Sequence, residues 1–140
     1  MAFLLDTNLL SELLRPRPDA GVVAWSRAQS PLDLYVSALS FGEIRKGVDL
    51  RTPDARREEI DAWLSDSLPT QFRGRILPID DAVTLEWGRM AADGQKQGRV
   101  LPVIDGLLLA PAAVHRMTLV TRNERDCAGR GIPILNPWSS

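Results

Sequence analysis

Short apolar runs alternate along this chain with longer stretches in which apolar residues recur every three or four positions. Phe3-Leu4-Leu5 is an apolar run closed by Asp6 and predicts a buried strand. From Thr7 to Leu14 the residues Leu9, Leu10, Leu13 and Leu14 form a helical stripe, which Arg15-Pro16-Arg17-Pro18 stops. Asp19 can cap a second helix that runs through Val22, Val23 and Trp25 to about Ala28. Leu34-Tyr35-Val36 predicts a second strand, Ser40 to Leu50 a third helix, and Pro53 to Leu68 a fourth with Ile60, Trp63 and Leu64 inward. Ile76 to Ile79 is a brief strand, and Asp80 to Gln97 a long helix with Val83, Leu85, Trp87 and Met90 on its apolar face. Pro102 suits the first turn of a helix reaching His115. Thr118-Leu119-Val120 is a strand, and Ile132 to Leu135 an edge strand, because Pro133 removes a ladder donor. Strands separated by helices imply βαβ units and an α/β fold with a mostly parallel sheet.

Sheets of this kind bind ligands beyond the carboxyl ends of their strands. That rule directs attention to Asp6, to Ser37–Glu43 and to Thr121–Asp126. Asp6 ends a buried strand, where a carboxylate is costly unless paired, yet Asp, Thr and Asn also cap helices. Glu43 follows Ser40 by three residues, a capping-box pattern that competes with a ligand role. Asp105 is the only charge between Arg99 and Arg116. The macrodipole of a helix start gives a carboxylate only about 0.3–1 kcal/mol, against several kcal/mol for burying it unpaired, so a functional role leads there. Asn123 and Asp126 stand in a polar segment after a strand, where a turn or cap is the competing explanation. Asp80-Asp81 opens a helix and reads as a cap and dipole pair, outside the site.

If Asp6, Glu43, Asp105 and Asp126 converge, they form an oxygen-only cluster with up to four negative charges. Hard divalent cations satisfy such a cluster. Paired ions of this kind serve phosphodiester hydrolysis.

Composition narrows the field. The 140 residues are 44% hydrophobic and 25% charged, average for a globular chain and consistent with one domain spanning residues 1–140. No apolar run approaches the roughly 20 residues of a membrane span, and the N-terminus lacks the features of a signal peptide. One cysteine (Cys127) and one histidine (His115) exclude an intrachain disulfide and a Cys/His zinc site, and fit a cytoplasmic setting. The net charge of −1 is no basic footprint, yet fifteen of the seventeen basic residues are arginine, which binds phosphate as a fork. Trp25, Trp63 and Trp87 fall on apolar helix faces as core or interface residues. Trp138 stands in a short tail, free to pack back or to serve a partner.

Taken together, the segments Leu5-Asp6-Thr7-Asn8, Ser37 to Glu43, Arg75-Ile76-Leu77-Pro78, Asp105-Gly106, Leu119 to Asn123 and Asn136-Pro137-Trp138 resemble PIN-domain ribonuclease toxins of the VapC/FitB type. The resemblance covers essentially the whole chain. It implies a three-layer α/β/α PIN-like fold and a Mg²⁺- or Mn²⁺-dependent endoribonuclease site. It also implies a homodimer, a cognate VapB/FitA-type antitoxin, and operator DNA bound only through that antitoxin. By position, Asp6 and Asp105 look like the metal ligands and Glu43 like the third acid, against its capping-box pattern. Asp126 looks like the fourth, with help from Asn123, where many relatives carry Asp. Pro111, within the helix after Asp105, and Cys127 depart from the usual pattern. Arg15, Arg17, Arg45, Lys46, Arg122 and Arg125 are the candidates for holding the RNA backbone. Two other readings differ in class: a DNA-binding toxin–antitoxin complex with a weak or silent nuclease, and a phosphotransfer fold with Asp6 as the phosphorylated residue.

Overall fold

The computed structural model describes residues 1–139. Five strands, β1 (Phe3–Leu5), β2 (Leu34–Ser37), β3 (Ile76–Leu77), β4 (Thr118–Val120) and β5 (Ile134–Leu135), pair in the order β3-β2-β1-β4-β5, all parallel. The central strands bury both faces, so their side chains alternate between two cores. Phe3, Leu5, Val36 and Val120 point to one, and Leu4 and Leu119 to the other.

The first core is covered by α1 (Thr7–Leu13), α2 (Ala20–Ala28), α3 (Ala38–Leu50), α4 (Ala55–Ala62) and α5 (Leu68–Gln71). The second is covered by α6 (Asp81–Lys96), α7 (Val103–His115) and the short α8 (Glu124–Cys127). This is the expected three-layer α/β/α arrangement. The chain leaves β1 toward β2 on one side and returns from α7 into β4 on the other. The switch point of the sheet therefore lies between β1 and β4, where a crevice opens beyond their carboxyl ends.

Several boundaries differ from the pattern-based expectation. The helix expected from Ser40 begins at Ala38, because Ser37, at the end of β2, caps it by accepting from the Leu39 N–H at 3.1 Å. The helix expected over Pro53–Leu68 begins after the Asp54 cap and reaches Gln71 through a π-helical turn at Trp63–Ser67. Leu85, expected inward, is exposed. Trp25, Trp63 and Trp87 are partly buried against the cores, with Trp25 edge-on to Phe3 at 5.1 Å. Pro111 stays inside an unbroken α7. Arg99 donates to the Arg125 and Ala128 carbonyls, each at 2.6 Å, and Arg130 to that of Asp126 at 2.6 Å. The two arginines fasten α8 to the end of α6.

Gly106 sets the distance between α6 and α7. A Cβ there would lie 2.7 Å from Trp87 Cδ1 and 3.0 Å from Leu101 Cδ2. Replacing a helical Gly by Ala normally gains up to about 1 kcal/mol. Overpacking against a rigid indole costs about 1–3 kcal/mol and is the larger effect. Gly106→Ala is therefore expected to lower the urea midpoint, and also to shift Asp105, its neighbour in the first turn of α7. A rise in stability would show that the two helices separate freely.

Candidate active site

The site grows from the ends of β1, β2 and β4. Asp6 follows β1 and still donates its N–H to the Val120 carbonyl at 3.0 Å, as though the strand continued. It occupies the cap position of α1, but its carboxylate makes no capping bond. Instead Oδ2 accepts from the Thr121 hydroxyl at 2.6 Å, across the switch point. Asp6 is 7% exposed, and burial pushes its carboxyl above the usual carboxylate range. The Thr121 hydrogen bond opposes that shift, and the negative charges of Glu43 and Asp105 add to it.

Glu43 lies in the second turn of α3, too deep in the helix for a capping box with Ser40. Its Oε1 accepts from the Thr7 hydroxyl at 2.6 Å, and that hydroxyl also meets Ser40 Oγ at 2.7 Å. Thr7 thus couples the first turn of α1 to α3 and aims Glu43 at the crevice.

Asp105 is half-buried in the first turn of α7. Desolvation raises its pKa first and the charge of Asp126 second, while the Asn123 amide and the Arg130 cation lower it. Asn123 caps α8, its Oδ1 accepting from the Asp126 N–H at 3.4 Å, and its own N–H donates to Thr121 Oγ1 at 3.0 Å. Among the described residues the Asp126 carboxylate forms no ion pair, and its charge reaches Asp105. Cys127 is buried behind the acids, and its thiol is pushed up to about 12 by burial and then by Asp105, Asp6 and Asp126. At neutral pH it stays protonated and is no nucleophile. Asp80 caps α6 through the Val83 N–H at 3.1 Å, apart from the site.

Asp6 thus lies within electrostatic reach of Glu43 and Asp105, and Asp105 within reach of Asp126. Among the described residues none of the four takes part in an ion pair. Nor are any three acid, histidine or cysteine side chains drawn together tightly enough to cage an ion as they stand. Thr7 and Thr121 hold Glu43 and Asp6 by one hydrogen bond each. An all-oxygen set of this kind, without direct ion pairs, fits a hard cation held by one or two carboxylates and completed by water and substrate oxygens. The softer chemistry of zinc or copper sites finds no thiolate or imidazole here.

Beside the acids runs a groove of about 1020 Å³, lined by Thr7, Glu43, Ile44, Val48, Ile60 and Trp138 among others. Of the six candidate phosphate-binding residues, Arg15 and Arg122 line it, and Arg15 also pairs with Glu12 at 3.4 Å. Arg17, Lys46 and Arg125 are exposed, outside the groove lining. The Arg45 guanidinium is committed to Asp61 at 2.7 Å and Asp49 at 2.8 Å, on the outer side of α3. Arg51 and Arg56 line the groove without having been singled out. Thr7 and Thr121 lay in segments to which the sequence pattern pointed but were given no role, and Arg130 was missed. A hydroxyl directly after an apolar strand was a signal for Thr121. For Arg130 there was none, since its bonds depend on where α6 ends.

Comparison with known proteins gives a PIN domain over residues 3–128. The chain is 34% identical to Toxin FitB of Neisseria gonorrhoeae over 135 residues, covering 96% of this chain and 97% of the relative. It is 33% identical to VapC ribonuclease Y4jK of Sinorhizobium fredii, covering 96% of each. The crystal structure of FitAcB from Neisseria gonorrhoeae superposes with a TM-score of 0.92 at 33% identity, over 99% of each chain.

Proposed function

The chain belongs to the PIN-domain family, and from that premise we propose that it is the ribonuclease toxin of a type II toxin–antitoxin module, a metal-dependent endoribonuclease. The observation that carries this reading is the set of four acids around the β1–β4 switch point, coupled pairwise through their charges and joined in no ion pair among the described residues. An enzyme keeps such charge only for something positive to bind there.

Asp6 and Asp105 would hold the ion, Mg²⁺ or Mn²⁺. Bound there, it would supply charge neutralisation at a scissile phosphate and acidify water. Thr121 orients Asp6 for that task, and Thr7 fixes one oxygen of Glu43. The free Oε2 of Glu43 then positions the attacking water and accepts its proton. Asp126, held by the Asn123 cap and the Arg130 clamp, faces the same water or a second ion. Hydrolysis would leave a 5′-phosphate and a 3′-hydroxyl. Arg122 and Arg15 would receive the phosphates flanking the break.

The same groove suits a cognate VapB/FitA-type antitoxin whose basic side chain reaches Asp6 and Asp105 and takes the ion's place. With a net charge of −1, the chain itself has no footprint for duplex DNA, so operator DNA is bound through the antitoxin. Val100, Val103 and Ile104 are exposed apolar residues immediately before Asp105, and we assign the homodimer contact to them rather than to the tryptophans. Among the described residues no helix is long and apolar enough to cross a membrane.

Purified protein mixed with bacterial RNA and Mg²⁺ should cut it internally, and EDTA should stop the reaction until Mg²⁺ or Mn²⁺ is restored. Sequencing of the new 5′ ends should find them phosphorylated. Cleavage that persists in EDTA would refute the metal site. RNA left intact by the antitoxin-free protein would favour a complex whose work is DNA binding.

A further inference from the structure

Arg122 follows Thr121, the residue whose hydroxyl is bonded to Asp6. A guanidinium one residue along the chain from such a contact is free to fold onto a carboxylate as a bidentate pair. It does not. Of the four arginines lining the groove, Arg15 pairs with Glu12 and Arg56 with Glu59, while Arg51 and Arg122 form no ion pair among the described residues. Arg122 makes no side-chain hydrogen bond or ion pair among the described residues, and its Cζ lies 5.8 Å from the centre of the Trp138 ring.

That ring is fixed from several sides. Its Nε1–H donates to Glu12 Oε1 at 3.3 Å, and its backbone N–H to Asn136 Oδ1 at 3.0 Å. Glu12 is itself buried, and its other oxygen accepts from the Asp19 N–H at 3.1 Å. One residue on, Ser139 donates twice to Asp19 Oδ1, at 3.1 Å from its N–H and 3.0 Å from its hydroxyl, and accepts from the Gly21 N–H at 3.0 Å. Gly21 has no Cβ because one would run into the Pro137 carbonyl oxygen. The tail is therefore seated tightly across the start of α2. Arg122 and Trp138 line the groove together with Thr7 and Glu43.

We infer that Trp138 is a positioning residue for Arg122: its indole face holds the guanidinium at the rim of the groove, away from the acids, where it takes one phosphate of the RNA strand. The inference rests on the nuclease reading above. A cation over a π face keeps its hydrogen-bond donors free, whereas a cation paired with Asp6 or Glu43 loses them and displaces the metal.

The test is fluorescence anisotropy of a labelled, mixed-sequence single-stranded RNA over a salt series, on an Asp6→Asn background in Mg²⁺ so that the strand stays intact. Arg122→Ala and Trp138→Ala should each weaken binding about 3- to 10-fold. Each should lower the slope of log K against log salt by about 0.7, one phosphate contact on a single strand. The double variant should bind no worse than either single one. Trp138→Phe, which keeps a π face but not the bond to Glu12, should retain the parental slope. Trp138→Leu, which keeps apolar bulk without a π face, should behave like Ala and serves if the alanine variant fails to fold. A parental slope in Trp138→Leu, or losses that add in the double variant, would overturn the positioning role. No RNA binding by the parent would instead sink the nuclease reading, and this inference with it.

Discussion

Asp6→Asn is expected to abolish RNA cleavage and at the same time to stabilise the protein. The loss should be on the order of 10³-fold, the upper range for removing one group that organises transition-state charge. Stability should move the other way, for a reason visible in the site. Burial raises the Asp6 carboxyl above its ordinary range, so ionising it costs the folded chain stability. The sign follows from proton counting. Between the unfolded value near 4 and the raised folded value, the native state binds more protons than the unfolded chain, so stability falls as pH rises through that window. Asn cannot ionise and removes the penalty, while its amide oxygen can still accept from Thr121. The thermal midpoint should rise by about 2–4 °C for each kcal/mol recovered, and the decline in stability just above pH 4 should flatten. Calorimetry across pH, paired with an RNA cleavage assay, checks both halves. An active Asp6→Asn protein with wild-type metal affinity would remove Asp6 from the site, and a lowered midpoint would mean that its charge is compensated.

The order of elements was legible because the strands are brief apolar runs bounded by turns and the helices keep a regular stripe. The carboxyl-end rule then located Asp6 and the segments holding Glu43 and Asp126 from local sequence alone. Other features depend on contacts between distant segments and leave no periodic trace. Ser37 outcompeted Ser40 as the cap of α3 because β2 ends at Ser37, a fact of strand register. With four residues, α8 is too short to show a stripe. The hydroxyls of Thr7 and Thr121 became meaningful only when α1 met α3 and β1 met β4. The clamps of Arg99 and Arg130 on backbone carbonyls are equally invisible, since any carbonyl has the same chemistry. Asp105 was the clearest of the acids because it is a lone charge in an apolar segment, which burial alone makes expensive. Its link to Asp126 and Arg130 appears only in the fold.

Glu43→Gln is expected to separate charge from hydrogen bonding at one position. With Ser37 as the cap of α3, Glu43 has no capping duty to lose. Gln matches Glu in helix propensity, and its amide oxygen can accept from the Thr7 hydroxyl that now meets Oε1 at 2.6 Å. The tie between α1 and α3 should survive, and stability should stay within about 0.5 kcal/mol of wild type. Cleavage should nevertheless fall by about 10²–10³-fold, because Gln neither takes a proton from water nor carries the charge that a divalent cation requires. Thr7→Val is the complementary change. It keeps the Glu43 charge but releases the side chain, so it should lose stability through an unpaired Ser40 and lose only part of the activity. Urea melts and single-turnover cleavage of both variants distinguish the two roles. Normal cleavage by a normally stable Glu43→Gln protein would reduce Glu43 to a strut between helices and leave Asp6, Asp105 and Asp126 as the working set.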